Sequence, residues 1–187
     1  MSAPPTMTLR LADPERDAAD CAAIYAPYVA GGATSFEEVA PDADAFRALI
    51  ERTSRRYPWI VLERDGQVIG YAYAWSHRSR AAYRWTVELS VYVDPAHRRA
   101  GAGRRLYEAL LERLRRQRLH LALAGITLPN DASVGLHRAL GFELIGVYRE
   151  VGWKAGAWRD VAWWQLRLTG DDDGPPPEPL GPQPLRG

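Results

Sequence analysis

Cysteine, lysine and long apolar runs are almost missing from this chain of 187 residues. The one cysteine, Cys21, excludes an intramolecular disulfide. Lysine occurs once, at Lys154, and the other 23 of the 24 basic residues are arginine. That bias suits a GC-rich genome better than any binding task, so arginine clusters are discounted before being read as sites. No apolar run approaches the length that spans a bilayer, and Met1 to Arg10 lacks the apolar centre of a signal peptide. A formal net charge of +1 leaves no electrostatic footprint for nucleic acid or an anionic membrane. The expectation is a cytoplasmic protein with neither nucleic acid nor membrane as partner.

What is present suffices for one domain with a sizeable core, since 47% of residues are hydrophobic and 25% charged. A short tail, residues 1–7, precedes a domain expected over 8–169. Residues 170–187 hold Asp171-Asp172-Asp173 and then six prolines from Pro175 to Pro184, a composition that predicts disorder. Between the tails, strand and helix patterns alternate. Thr8 to Leu11 reads as a strand. Asp13 caps a helix with Ala18, Cys21, Ile24, Tyr25 and Tyr28 at helical spacing, and Pro41-Asp42 opens a second. Trp59 to Glu63 and Val68 to Trp75 form a hairpin through Asp65-Gly66. Trp85 to Val93 is a strand, Gly103 to Arg116 a helix, Leu119 to Ile126 a strand and Asp131 to Leu140 a short helix. Phe142 to Val151 and Val161 to Leu168 are a closing pair of strands. This order predicts an α/β fold, a mixed sheet flanked by helices.

The strand Trp85 to Val93 carries the most chemistry. Side chains alternate along a strand. Trp85, Val87, Leu89, Val91 and Val93 therefore share an apolar face, and Thr86, Glu88, Ser90 and Tyr92 the other. That second face is either open to water or the wall of a cleft with Glu88 as its base. The following loop, Asp94 to Gly103, leads into a helix through Arg98-Arg99-Ala100-Gly101-Ala102-Gly103-Arg104. Small residues let main-chain amides approach a phosphate, and a helix start favours an anion. The alternative is a basic turn in an arginine-rich protein. A P-loop fits poorly because Gly103 precedes Arg104 and Arg105 rather than Lys-Ser/Thr. A dinucleotide fingerprint fits poorly, since its third glycine would fall on Leu106.

Arg98-x-x-Gly101-x-Gly103 resembles the pyrophosphate motif of the GNAT acetyltransferase superfamily. Further blocks resemble the phosphinothricin N-acetyltransferases within it. They are Tyr57-Pro58-Trp59, Gly70 to Ala74, Tyr83 to Glu88, Ser90 to Val93, Leu128 to Asp131, Leu136-His137, Leu140-Gly141-Phe142 and Asp160-Val161-x-x-Trp164-Gln165. The similarity runs from about Leu9 to Leu166. It implies a GNAT acyl-CoA N-acyltransferase fold with a splayed central sheet, acetyl-CoA as co-substrate and no metal. Main-chain groups of Val91, Tyr92 and Val93 would hold the pantetheine arm. Amides from Arg99 through Ala100, Gly101, Ala102 and Gly103 to Arg104 would hold the pyrophosphate, with Arg98 beside them. Asn130 would contact the cofactor arm.

Under the same resemblance Glu88 is the general base, and an amide near Val91 polarises the thioester. The departing thiolate needs a proton, and many relatives carry tyrosine at the position of His137. The alternative for His137 is a surface residue of its helix. The loop Trp75 to Tyr83 would line the substrate pocket, with Arg78, Ser79 and Arg80 gripping a carboxylate or phosphinate and Phe36, Tyr83, Leu89 and Ser90 completing it. Exposed loop arginines are the alternative. The substrate would be a small amino-acid analogue, phosphinothricin or methionine sulfoximine or sulfone. Another small amine and a non-catalytic acyl-CoA-binding module remain alternatives. A homodimer is implied as well, and Trp153, Trp158, Trp163 and Trp164 read as core and interface.

Overall fold

The computed structural model describes residues 5–98, 100–170 and 176–182. Strand β1 (Met7–Leu11) is followed by helices α1 (Pro14–Ala30) and α2 (Ala43–Ser54). Next come β2 (Trp59–Arg64), β3 (Gln67–Ser76) and β4 (Thr86–Val93), then α3 (Ala102–Arg116), β5 (Leu121–Thr127), α4 (Asp131–Ala139), β6 (Glu143–Lys154) and β7 (Ala157–Arg167). The seven strands form one sheet in the order β1-β2-β3-β4-β5-β7-β6, with β4 and β5 parallel and all other neighbours antiparallel. The mixed α/β sheet read from the pattern is the one observed.

Local chemistry explains the boundaries. The Asp13 carboxylate accepts the amides of Glu15 and Arg16, and Asp42 accepts that of Ala45, so both helices begin at an acidic cap. The hairpin at Asp65-Gly66 forms with both residues at positive φ.

The last hairpin departs from the expectation. The strands do not stop at Val151 and Val161 but run on to Lys154 and back from Ala157, turning on Ala155-Gly156 at φ values of 52° and 72°. Ala-Gly lacks the Asn-Gly or Asp-Gly signature of a tight hairpin, so the pattern alone leaves both strands short.

Alternation along the strands feeds two cores. Ile60, Leu62, Ala72, Ala74, Val87 and Leu89 face α3 and meet Leu106, Leu110 and Leu114. Trp59, Val61, Tyr71, Tyr73 and Tyr92 face α1 and α2 and meet Cys21, Ile24, Phe46 and Ile50. Helix α1 is tied down by the fully buried Asp17 carboxylate, which takes two 2.6 Å hydrogen bonds from Arg10 of β1. Among the described residues no helix is long and apolar enough to cross a membrane.

The Pro-rich tail departs in part from the predicted disorder. Its described segment, 176–182, lies against the domain. The Pro177 carbonyl accepts the Trp85 indole N–H at 2.8 Å, the Glu178 carboxylate binds Arg84, and Leu180 exchanges hydrogen bonds with the main chain and side chain of Gln117. Proline fixes φ in advance and lowers the entropy lost on docking. Residues 171–175 and 183–187 lie outside the described residues.

Candidate active site

Strands β4 and β5 pair only at Thr86–Leu121, Val87–Ala122 and Glu88–Leu123. Beyond that, β5 follows β7, from Ala124–Trp164 to Thr127–Val161, and β4 follows β3. The sheet opens at Glu88. Two neighbouring cavities that share lining residues occupy the opening and its outer end. The larger, about 530 Å³, runs from Val91 and Val93 along Arg98, Gly101 and Gly103 to Asn130 and Leu136. The smaller, about 60 Å³, lies between β4 and β5 and reaches Ser90, Tyr107 and His137. Val91, Asn130 and Ser133 border both.

Tyr28 of α1 accepts the Val93 amide at 3.2 Å and donates to the Val93 carbonyl at 2.5 Å, so these groups point away from β3. By strand alternation the main chain of Val91 also faces the gap. It is the edge available to an added extended group, because Val93 already has its partner. Tyr92 packs its ring on Tyr25 and Tyr28, at centroid distances of 4.8 and 5.1 Å, and its main chain faces β3, with its carbonyl against Gly70, so of the three residues read as holding the cofactor arm it has no free main-chain edge in the gap.

The glycine loop is shaped for close approach. Gly101 caps α3 at φ 75°, a left-handed conformation costly for other residues. A Cβ on Gly103 would stand 3.3 Å from Leu136 Cδ2 and narrow the larger cavity. Ala102 is buried at the helix start, Ala100 is exposed, and Arg99 lies outside the described residues. Arg98 lies over the Tyr28 ring at 4.8 Å, whereas Arg104 pairs with Glu108 at 2.7 Å on the surface. Asn130 caps α4 by accepting the Ser133 amide through Oδ1, which leaves its Nδ2 to offer a ligand. A long cavity with glycine at its floor, a helix start and a free main-chain edge fits an extended diphosphate-bearing thioester.

Glu88 is half-buried beside Leu123, so its face of the strand is not open to water. Its Oε1 is 2.7 Å from His77 Nδ1. The His77 ring meets Tyr83 at 5.6 Å and Trp163 at 6.4 Å, and Trp163 meets Tyr148 at 5.8 Å. Sequence reasoning placed His77 in the pocket-lining loop without giving it a role, did not assign Tyr148 to the site, and read Trp163 as core and interface. Their contacts depend on the β3–β4 and β6–β7 registers, which no local pattern encodes.

Two further residues, His137 and Leu89, sit in surroundings that the sequence did not indicate. His137 is not a surface histidine. It is 2% exposed between Tyr107 and Phe142. Its Nδ1 donates to the Ser133 carbonyl at 2.7 Å, while Nε2 is buried without a partner. Burial lowers its pKa below the ordinary 6.5. The neutral ring therefore presents a lone pair at Nε2, an acceptor rather than a proton donor for a thiolate. Leu89 faces the α3 core, opposite to Glu88, and borders only the smaller cavity. Ser90, by contrast, shares the Glu88 face.

The remaining acceptor-side residues come from separate loops. Arg78, Ser79 and Arg80 form an exposed loop after β3, and neither arginine forms an ion pair with a described residue. Tyr83 sits on a short 3-10 turn, Ala81–Tyr83. Phe36 crosses from the α1–α2 loop to lie on β6, so close that a Cβ on Gly152 would be 2.3 Å from its ring.

Residues 10–163 match the family model described as acetyltransferase (GNAT) domain. The phosphinothricin N-acetyltransferase of Streptomyces viridochromogenes is 46% identical over 134 residues, 71% of each chain. The L-methionine sulfoximine/L-methionine sulfone acetyltransferase of Salmonella typhimurium is 42% identical over 87% of this chain and 95% of its own. Among solved structures, a GNAT phosphinothricin acetyltransferase from Sinorhizobium meliloti in complex with acetyl-CoA superposes with a TM-score of 0.87 at 36% identity, covering 94% of this chain and 95% of that one. The chain belongs to the GNAT acetyltransferase family. It is an N-acetyltransferase with acetyl-CoA as acyl donor, of the type that includes phosphinothricin and methionine sulfoximine acetyltransferases.

Proposed function

We propose that this enzyme acetylates the α-amino group of phosphinothricin or a similarly shaped amino-acid analogue, by direct transfer, with Glu88 as general base. The observation that carries this reading is the half-buried Glu88 carboxylate at the last paired position of β4 and β5, followed along β4 by Ser90, which borders the smaller cavity, and Val91, which borders both. A protonated amine gives one proton to Glu88 and attacks the thioester carbon. The Val91 amide faces the gap where the oxyanion forms. As the carbon–sulfur bond breaks, a second nitrogen proton passes to sulfur, so amide and thiol are the products and His137 need donate nothing. Direct transfer is supported by Cys21, which is fully buried in the other core with its thiol pKa raised by desolvation, far from a reactive thiolate.

Arg78 and Arg80, exposed on the loop between β3 and β4, supply the guanidinium groups for a carboxylate and a phosphinate or sulfoximine oxygen. Glu88→Gln is expected to lower turnover by at least about a hundredfold, with acetyl-CoA affinity by calorimetry unchanged. Thiol-release kinetics across amino-acid analogues identifies the acceptor. A preference below about tenfold in kcat/KM, roughly 1.4 kcal/mol, leaves phosphinothricin undistinguished from the sulfoximine.

The reading includes a homodimer. Ile145, Tyr148, Val151, Trp153 and Trp158 leave apolar side chains exposed on the edge hairpin β6–β7, an unusual surface for a monomer. Light scattering should give twice the chain mass, and Trp153→Glu should shift it toward the monomer.

A further inference from the structure

The group closest to the Glu88 carboxylate is His77, whose Nδ1 stands 2.7 Å from Oε1 with both side chains 17% exposed. His77 follows directly after β3. Trp75 lies opposite Glu88 in the antiparallel register, and the His77 amide still reaches the Thr86 carbonyl at 3.5 Å. The imidazole therefore falls diagonally across from Glu88. Two rings fix it from other sides, Tyr83 at 76° and Trp163 at 73° between planes, both edge-on. Three separate elements thus hold a single ring against a single carboxylate oxygen.

We propose that His77 is a positioning residue for acetyl transfer. A carboxylate only accepts, so Nδ1 donates to Oε1, and the bond fixes the side-chain torsions of Glu88 so that Oε2 is the oxygen offered to the incoming amine. The proposal rests on Glu88 being the base. A glutamate held by nothing would spread over several rotamers, and an ångström of misplacement in a reacting group can cost about a hundredfold in rate. The imidazole also removes one of the two carboxylate oxygens from competition, leaving a single acceptor toward the cleft.

Four variants test this in the full-length chain: His77→Leu, His77→Asn, Glu88→Gln and the Leu/Gln double variant, each first checked for its melting temperature and acetyl-CoA affinity. His77→Leu is expected to lower kcat about ten- to a hundredfold while the acceptor KM moves less than about threefold. Asparagine places an amide N–H near the former Nδ1, so His77→Asn should recover most of kcat. In the Glu88→Gln background the leucine substitution should cost nothing more. Wild-type turnover in His77→Leu, an asparagine variant as slow as the leucine one, or a further loss in the double variant would each overturn the proposal. Full activity in Glu88→Gln would instead remove the reading of Glu88 as base, whereas an inactive Glu88→Gln beside an intact His77→Leu would remove that of His77 alone.

Discussion

His137 carries a proton only at a cost, because its ring is enclosed at 2% exposure between two aromatic rings. Burial lowers its pKa from the ordinary 6.5, against a weaker opposing effect from the Ser133 carbonyl. The unfolded chain then binds this proton more readily than the folded one. Stability from the neutral ring is intact above the unfolded value of 6.5 and is lost as pH falls below it. Melting temperatures should drop as pH falls below 6.5, and an uncharged His137→Gln variant should lose less over the same change. The same burial separates His137 from Glu88 in role. Both were read as catalytic candidates from their neighbours in the chain. Only the structure shows that one has an imidazole nitrogen at 2.7 Å from its carboxylate, and that the other borders the smaller cavity with its Nε2 buried and unpartnered.

Strand β6 shows how one element seats a loop from another, the one that carries Phe36. Its register slips between Tyr148 and Gly152, where Glu150 adopts φ 49° and its amide binds the Asp160 carboxylate at 2.8 Å. That bulge brings Gly152 beneath the Phe36 ring, while Lys154 donates to the Glu37 carbonyl and pins the same loop. A methyl group at position 152 would meet the ring at 2.3 Å. Since Phe36 is 41% exposed, the ring can move and the fold survives. Gly152→Ala should raise the acceptor KM several-fold with acetyl-CoA affinity unchanged, measured by steady-state kinetics and calorimetry. A similar division runs along β4, whose inward residues Val87 and Leu89 anchor it to α3 while its other face carries Glu88 and Ser90.

Across the whole molecule, residues 176–182 link regions distant in sequence. Arg84 and Trp85 lie just before β4, Gln117 just after α3, and the tail touches all three. The Arg84–Glu178 pair is exposed and adds little. The hydrogen bonds to Trp85 and to the buried Gln117 matter more, since Gln117 is 2% exposed with the tail in place. A chain ending at Gly170 should lose about 1–3 kcal/mol and melt several degrees lower by differential scanning calorimetry.

Strand and helix order, the acidic helix caps, the glycine loop and the alternating faces of β4 were all legible in the sequence, because each is a local consequence of side-chain period or backbone preference. So was the family, through motifs kept in order along the chain. The contact between His77 and Glu88, the orientation of His137, the seat of Phe36 on Gly152 and the docking of the tail were decided by tertiary structure alone. Each joins residues from different elements, and strand register, bulges and burial set those distances without leaving a periodic trace in the chain.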